Sequence, residues 1–375
     1  MVVALRSPGE LVRLRLLTPV IAFAAACGGG ASAPAPSAAP RIEPVRMTAA
    51  VSHDADDPAI WLNTADPAGS LIVGTNKVKA PDGALVVFGL DGGIRQTIAG
   101  LDRPNNVDIE TGVTLGSRVV DLVATTERLQ HRLRLFVIPP GGAALEDAGA
   151  VPVLAGESGE SSEPMGVGLY KRATDGALFA IVAPKTGPSE GYLAQYRLTA
   201  DAAGQISGAL VRRFGRFSRR GPEPGSVGEI EAIAVDDALG YVYYADERFG
   251  IHKWHADPDH ADASRELAVF GTEGYRLDRE GLALYTHADG TGYLVSTDQI
   301  PGGSIFKLYR REGEPGAPHT HRVIAEAQTT ADETDGIEVT SVPLPGLPKG
   351  ALVAMDSSKR AFAVFDWATL FPGLR

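Results

Sequence analysis

The sequence is poor in the groups on which most metal and redox sites depend. One cysteine, Cys27, occurs in 375 residues, which excludes an intrachain disulfide and a thiolate metal site. Histidines number eight, and no H-E-x-x-H pair is among them. There is no P-loop, no G-x-G-x-x-G after a strand and no G-x-S-x-G, since GESGE at 156–160 does not fit. Positive charge is also in deficit: 35 Lys and Arg face 46 Asp and Glu, for a net charge of −11. That balance argues against nucleic acid or an anionic membrane surface as a partner. What the chain does have is 44 Gly, 26 Pro and a hydrophobic content of 44%. This means many turns around a large core, and so a β-rich architecture.

The N-terminus reads as a targeting segment. Arg6, Arg13 and Arg15 precede the apolar run LLTPVIAFAAA, which is too short to span a bilayer and has the length of a signal h-region. Ala24-Ala25-Ala26-Cys27 resembles a bacterial lipoprotein signal, in which the cysteine is lipidated after cleavage; ordinary secretion is the alternative. Residues 1–27 are therefore expected to be a signal peptide, 28–40 (GGGASAPAPSAAP) a flexible tether, and 41–375 the folded domain. The expected destination is outside the cytoplasm: periplasmic, outer-membrane lipoprotein or secreted. Membrane contact would come only through a lipid anchor at Cys27.

One pattern recurs about every 50–60 residues: a Gly-containing turn, a β-rich apolar run and a polar end. It appears as AGSLIVGTNK, GSRVVDLVATTER, DGALFAIVAPK, LGYVYYADE, GTGYLVSTDQ and KGALVAMDSSK. Each is preceded by a run with polar residues at its start (DDPAIWL, NNVDIETG, PMGVGLY, EIEAIAV, DREGLALY, TDGIEVT), and a third run often follows. A meander of three to four strands used six times predicts an all-β, six-bladed β-propeller. RIEPVRMTAAV, before the first unit, is expected to supply the outer strand missing from the last unit and so close the ring. A two-domain β-sandwich is the competing architecture.

In a propeller blade the start of the first strand and the end of the second lie on one face. Asp56, Asp57, Asn106, Asp108, Glu229, Glu231, Asp278, Glu280 and Asp335 stand at the starts, and Lys77, Arg128, Lys185, Glu247, Asp298 and Lys359 at the ends. The opposite face shows no such concentration. Carboxylates so numerous need a cation, and oxygen ligands without thiols point to Ca²⁺ ahead of zinc or copper. Lys77, Arg128 and Lys185 suit an anion with several charges, the Arg fork matching phosphate oxygens. Together they suit metal-assisted phosphoryl hydrolysis without a protein nucleophile. His252, His255 and His260 are expected on an outer strand and its loop, and His319 and His321 in a surface turn.

DADDPAIWLN, GTNK, NNVDIE, EIEAIAVDDALGYVYYADE, DREGLALY, TDGIEV and FAVFDW, in this order from about residue 45 to 367, together resemble the bacterial β-propeller phytases. The resemblance implies Ca²⁺-dependent hydrolysis of the phosphomonoesters of phytate (inositol hexakisphosphate), with several Ca²⁺ ions at the channel mouth. It implies direct attack of a metal-bound water, at a cleavage site beside a phosphate-affinity site. By position, Asp57 and Asp108 correspond to calcium-site residues, and Glu231, Glu247, Asp278 and Glu280 to the carboxylates of the catalytic calciums. Asp335 is a further acidic member, Asp56 is grouped with the metal ligands, and Lys77, Arg128 and Lys185 correspond to the phosphate-binding bases. Met165-Gly166-Val167 replaces the family's Tyr-Gly-Phe, which implies loss of a tyrosine contact to phosphate. Thr186 replaces an acidic residue that helps to bind calcium. The insertion FSRRGPEPGSVG at 217–228 brings Arg219 and Arg220, which are expected to lean over the mouth. The expected partner is calcium phytate and the expected state a monomer. Two other readings stay open: a propeller lactonase or sugar dehydrogenase with one channel metal, and a non-catalytic surface propeller that binds ligands.

Overall fold

A computed structural model describes residues 41–142 and 144–374. The expected signal peptide and tether, with Cys27, lie outside the described residues. Six four-stranded antiparallel sheets form the blades of a propeller, as the repeats predict. The inner strands are Ala55–Trp61, Pro104–Leu115, Pro164–Lys171, Ile233–Asp236, Leu282–Thr286 and Ile337–Thr340, in blades 1 to 6. The second strands are Leu71–Asn76, Arg118–Glu127, Leu178–Pro184, Tyr241–Asp246, Gly292–Ile300 and Ala351–Asp356.

The ring closes where the sequence suggests. Arg46–Met47 pairs with Ala361–Asp366, Arg46 opposite Val364 and Met47 opposite Ala363, so the first strand among the described residues is the outermost strand of blade 6. Thr48 reinforces the seam by accepting from Phe362 N through Oγ1 at 2.9 Å.

Middle strands are sandwiched between neighbouring blades, so both of their faces must be apolar. LIVGTN and ALVVFG are accordingly buried at every position, whereas the outer strand IRQTIA leaves four of its six residues exposed. Clusters between blades hold the ring together; Ile72 and Phe88 of blade 1, for example, pack with Val353 and Phe362 of blade 6. Burying one such side chain contributes about 1.5–3 kcal/mol. Ionic contacts also bridge blades: Arg311, after the third strand of blade 5, holds Asp236 of blade 4, with Nε 2.6 Å from Oδ2.

The register of the inner strands positions the site. Blades 1, 2 and 3 each carry an irregularity at the strand start, between Ala55 and Pro58, Pro104 and Val107, and Pro164 and Val167. A bulge re-aims consecutive side chains that regular pleating would send to opposite faces. Asp56 and Asp57, and Asn105 and Asn106, occupy these bulges.

Candidate active site

The mouth is built from short polar lead-ins to the inner strands, faced by residues that follow the second strands. A cavity of about 340 Å³ is lined there by Lys77, Glu229, Glu231, Glu247, Asp278, Glu280 and Asp335, with Pro222, Ser226, Val227 and Gly228 on one wall. Ligand oxygens of Glu229, Glu231 and Glu247 lie within 4.8 Å of one another.

The basic groups are threaded between carboxylates. Lys77 Nζ contacts Asp56 and lies 3.6 Å from Asp335 Oδ2, while Lys185 Nζ contacts Glu229. Arg128 donates to Glu163 Oε2 at 2.8 Å and to Asn105 Oδ1 at 3.3 Å. Asn105 in turn donates to Asp56 Oδ2 at 3.1 Å, to Asn106 Oδ1 at 3.0 Å and to Glu231. It is the hub that ties blades 1, 2 and 4 together, and sequence reasoning passed it over in favour of its neighbour Asn106.

Burial and mutual repulsion leave the acidic groups reluctant to ionise. Burial raises Asp56, with Glu231 and Asp335 adding to the rise and Lys77 opposing it. Burial raises Glu247 and Glu280, each pushed further by the carboxylates around it. Burial carries Asp335 to about 6 against the pull of Lys77. Asp278 is raised by burial although Arg248 pairs with it at 2.9 Å. Burial works against the Lys77 charge, yet Asp56, Glu231 and Asp335 outweigh it and hold the ammonium above its ordinary value. Lys185 is lowered, by burial and by Arg128. Such a site gathers positive charge, as protons or as a cation.

Asp57 and Asp108 lie one step further along the channel than the rim on which sequence reasoning put them. The Asp57 carboxylate accepts from Val107 N at 2.9 Å, and the Asp108 carboxylate from Leu169 N at 2.6 Å and Ile109 N at 2.7 Å. All three backbone donors come from inner strands, which fixes the side chains inside the ring. Gly336 is required here, because a Cβ at that position would overlap Asp57 Oδ1 and Cα. With Glu280 and Glu338, Asp57 and Asp108 line a small cavity of about 30 Å³, enough for one water-sized occupant. Burial pushes Asp108 up to about 7 and Glu338 up to about 8. Glu338 was missed in the sequence because alternation along IEVT gives it no special mark.

Several expectations need correction. Asp298 is fully buried and accepts from Arg276 N and Leu277 N, so it pins the loop that leads into the inner strand of blade 5 and does not serve the mouth. Lys359 sits exposed in the turn after the second strand of blade 6 and lines no part of the cavity. Arg219 and Arg220 line a separate cavity, not the mouth. His321 is buried, its Nδ1 2.9 Å from Arg310 O and its ring stacked on Phe270. His252 and His255 lie on the third strand of blade 4, one strand in from the outermost Ala268–Phe270, and His252 is buried, while His260 is in the loop beyond. His255, His260 and Asp262 also bring ligand atoms within 4.8 Å of one another. The opposite end of the ring is not bare of charge: Arg172 pairs there with Asp175, Asp257 and Asp259, and Lys171 with Glu110.

The donors fit a hard divalent cation. They are oxygen atoms only, convergent, and short of compensating positive charge. At the level of sequence, the family model described as Phytase matches residues 22–361. The chain belongs to the phytase family. Among its phytase relatives, the 3-phytase of Bacillus subtilis (strain 168) is 29% identical over 314 residues, covering 80% of this chain and 74% of the relative. Among solved structures, Penicillium chrysogenum α-L-arabinanase complexed with arabinobiose superposes with a TM-score of 0.52 at 11% identity, covering 89% of this chain and all of the other. That likeness concerns the fold alone. Within the phytase fold, Met165 is buried in blade 3, its carbonyl accepting from Thr126 Oγ1 at 2.7 Å, so it offers the mouth no polar group. Gly166 has to be glycine, because the carbonyl of Glu231 passes where a Cβ would stand.

Proposed function

We propose that this phytase-family chain hydrolyses phosphomonoesters of phytate in a calcium-dependent reaction, acting as a 3-phytase-like phosphoric monoester hydrolase. The observation that carries this reading is the convergence of Glu229, Glu231 and Glu247 within 4.8 Å, with Lys77, Arg128 and Lys185 beside them. Family membership and the Bacillus relative support phytate as the substrate.

Glu229, Glu231, Glu247, Asp278, Glu280 and Asp335, with Asp56, are the residues that would hold calcium at the mouth; Asp57 and Asp108 would hold it in the channel. Bound calcium supplies charge neutralisation of phosphate oxygens and a lowered pKa for water in its shell. The protein contributes orientation. Arg128 is clamped between Asn105 and Glu163, so its guanidinium is pre-set to face an oxyanion. Lys77 and Lys185 are carried on blades 1 and 3 by the ends of second strands and can bind separate oxygens. Ser226 borders the cavity, but its hydroxyl donates to Glu223 O at 2.7 Å and accepts from Glu223 N at 2.9 Å. It is spent on its own loop, so attack falls to water. The N-terminal segment, read as an export signal, supports a site of action outside the cytoplasm.

The test is phosphate release from calcium phytate by the purified full chain, with and without a chelator, beside the variant Glu231→Gln. The expected result is release that needs calcium and is lost in the variant while its circular dichroism is kept. No release with calcium present, or equal release by the variant, would overturn the reading.

A further inference from the structure

A larger, basic cavity adjoins the acidic mouth. Its volume is about 860 Å³, and its lining includes Arg219, Arg220, Arg248, Arg276 and Arg279. Pro222, Ser226 and Val227 line both cavities, so the inserted loop is their common wall.

Two of the five guanidinium groups build the wall. Arg279 is buried, stacked over the Tyr275 ring at 4.0 Å, and donates to Gly271 O at 2.6 Å and Glu247 O at 2.7 Å. Arg248 pairs with Asp278 at 2.9 Å and donates to Pro222 O at 2.9 Å. The other three are exposed, and among the described residues no carboxylate pairs with them. Arg219 reaches only the carbonyl of Gly187, at 3.2 Å, and Arg220 lies 5.0 Å from the Phe249 ring centroid. Glu223 is the one carboxylate in the lining. In a chain of net charge −11, this is a local excess of positive charge that its acidic surroundings leave unmatched.

We propose that this cavity is a second oxyanion site, which takes a phosphate-bearing anion without calcium. Several guanidinium forks around one space match tetrahedral oxyanions, each offering paired N–H donors. The site lies apart from Lys77, Arg128 and Lys185, and none of these lines it. Its occupant is either a further phosphate of a polyphosphorylated substrate or released inorganic phosphate. This choice of ligand class rests on the proposed function, whereas the anion site itself rests on the arginine geometry. Because Pro222, Ser226 and Val227 wall both cavities, this one would hold such a molecule next to the acidic mouth.

The experiment is isothermal titration of the full chain in a chelator, using inorganic phosphate and inositol hexakisphosphate as separate probes. The comparison is the variant carrying Arg219→Gln, Arg220→Gln and Arg276→Gln. Loss of a charge-assisted hydrogen bond weakens binding about tenfold or more, so affinity in the triple variant should fall by at least that much. Its thermal melt should be unchanged, since all three side chains are exposed. Binding of inorganic phosphate assigns the site to product; binding of the hexakisphosphate alone assigns it to substrate. Equal affinities for wild type and variant, or no binding of either anion in chelator, would overturn the proposal. Failure of calcium-dependent phosphate release alone would sink the functional reading and leave the anion site standing.

Discussion

The amide nitrogen of Asn105 lies 3.1 Å from Asp56 Oδ2 and also meets the Glu231 carboxylate across the channel. One neutral side chain thus donates to two carboxylates that repel each other. Asn105→Ala should cost about 1–3 kcal/mol, the penalty of leaving buried acceptors unmatched, and should lower kcat for phosphate release. Urea unfolding with parallel kinetics tests this; unchanged stability and kcat would remove Asn105 from the architecture of the site.

Lys77 has the converse role, since it supplies charge between Asp56 and Asp335. Breaking a buried pair by removing one partner costs about 3–5 kcal/mol. Lys77→Met should show most of that loss in chelator and regain part of it with added calcium. Denaturant midpoints measured both ways would decide, and a loss indifferent to calcium would count against a shared cation site.

A distant ion pair offers a control. Arg311 and Asp236 join blades 5 and 4 away from the mouth, with Nε 2.6 Å from Oδ2. Asp236→Asn should destabilise by a few kcal/mol, about the 3–5 expected for a broken buried pair, while leaving KM unchanged at temperatures where the ring stays folded. Differential scanning calorimetry and a KM measurement separate the two effects.

The channel carboxylates set a pH dependence for the calcium-free protein. Burial holds Asp108 up to about 7 and Glu338 up to about 8, above the roughly 4 expected of unfolded carboxylates. The folded state therefore keeps protons that the unfolded state has shed. Stability is fully present below the unfolded values and is lost as pH rises through the folded ones. In chelator, Tm should fall between about pH 5 and pH 8, and calcium should flatten that fall. A Tm that rises over this interval would contradict the assignment.

The ring was readable because six blades repeat one solution to the same burial problem, and the closing strand because the sixth unit ran short. Asp56, Glu231, Glu247, Asp278, Glu280 and Asp335 were readable because strand polarity carries their position. Asn105 was not, because a neutral amide beside a second asparagine gives no sign of which one faces the carboxylates. The bulge that decides it is a local register shift that alternation does not encode. Glu163 sits in a loop before Pro164, and only the folded chain brings it to Arg128. Arg219 and Arg220 were seen but misdirected: their loop folds beside the mouth because Pro222, Ser226 and Val227, not the arginines, face it.

Closure by the first strand has a consequence for how the molecule is made. Thr48 and Phe362 are joined by a hydrogen bond, and Arg46 is registered on Val364, so the seam unites the two ends of the domain. Contacts of such high order in sequence form late, after the chain between them has been synthesised. A nascent chain still lacking blade 6 has neither the seam nor Asp335, and Lys77 is left with an incomplete set of carboxylates. The arrangement that demands a cation therefore arises only at completion, which makes calcium affinity a direct reporter of a finished ring.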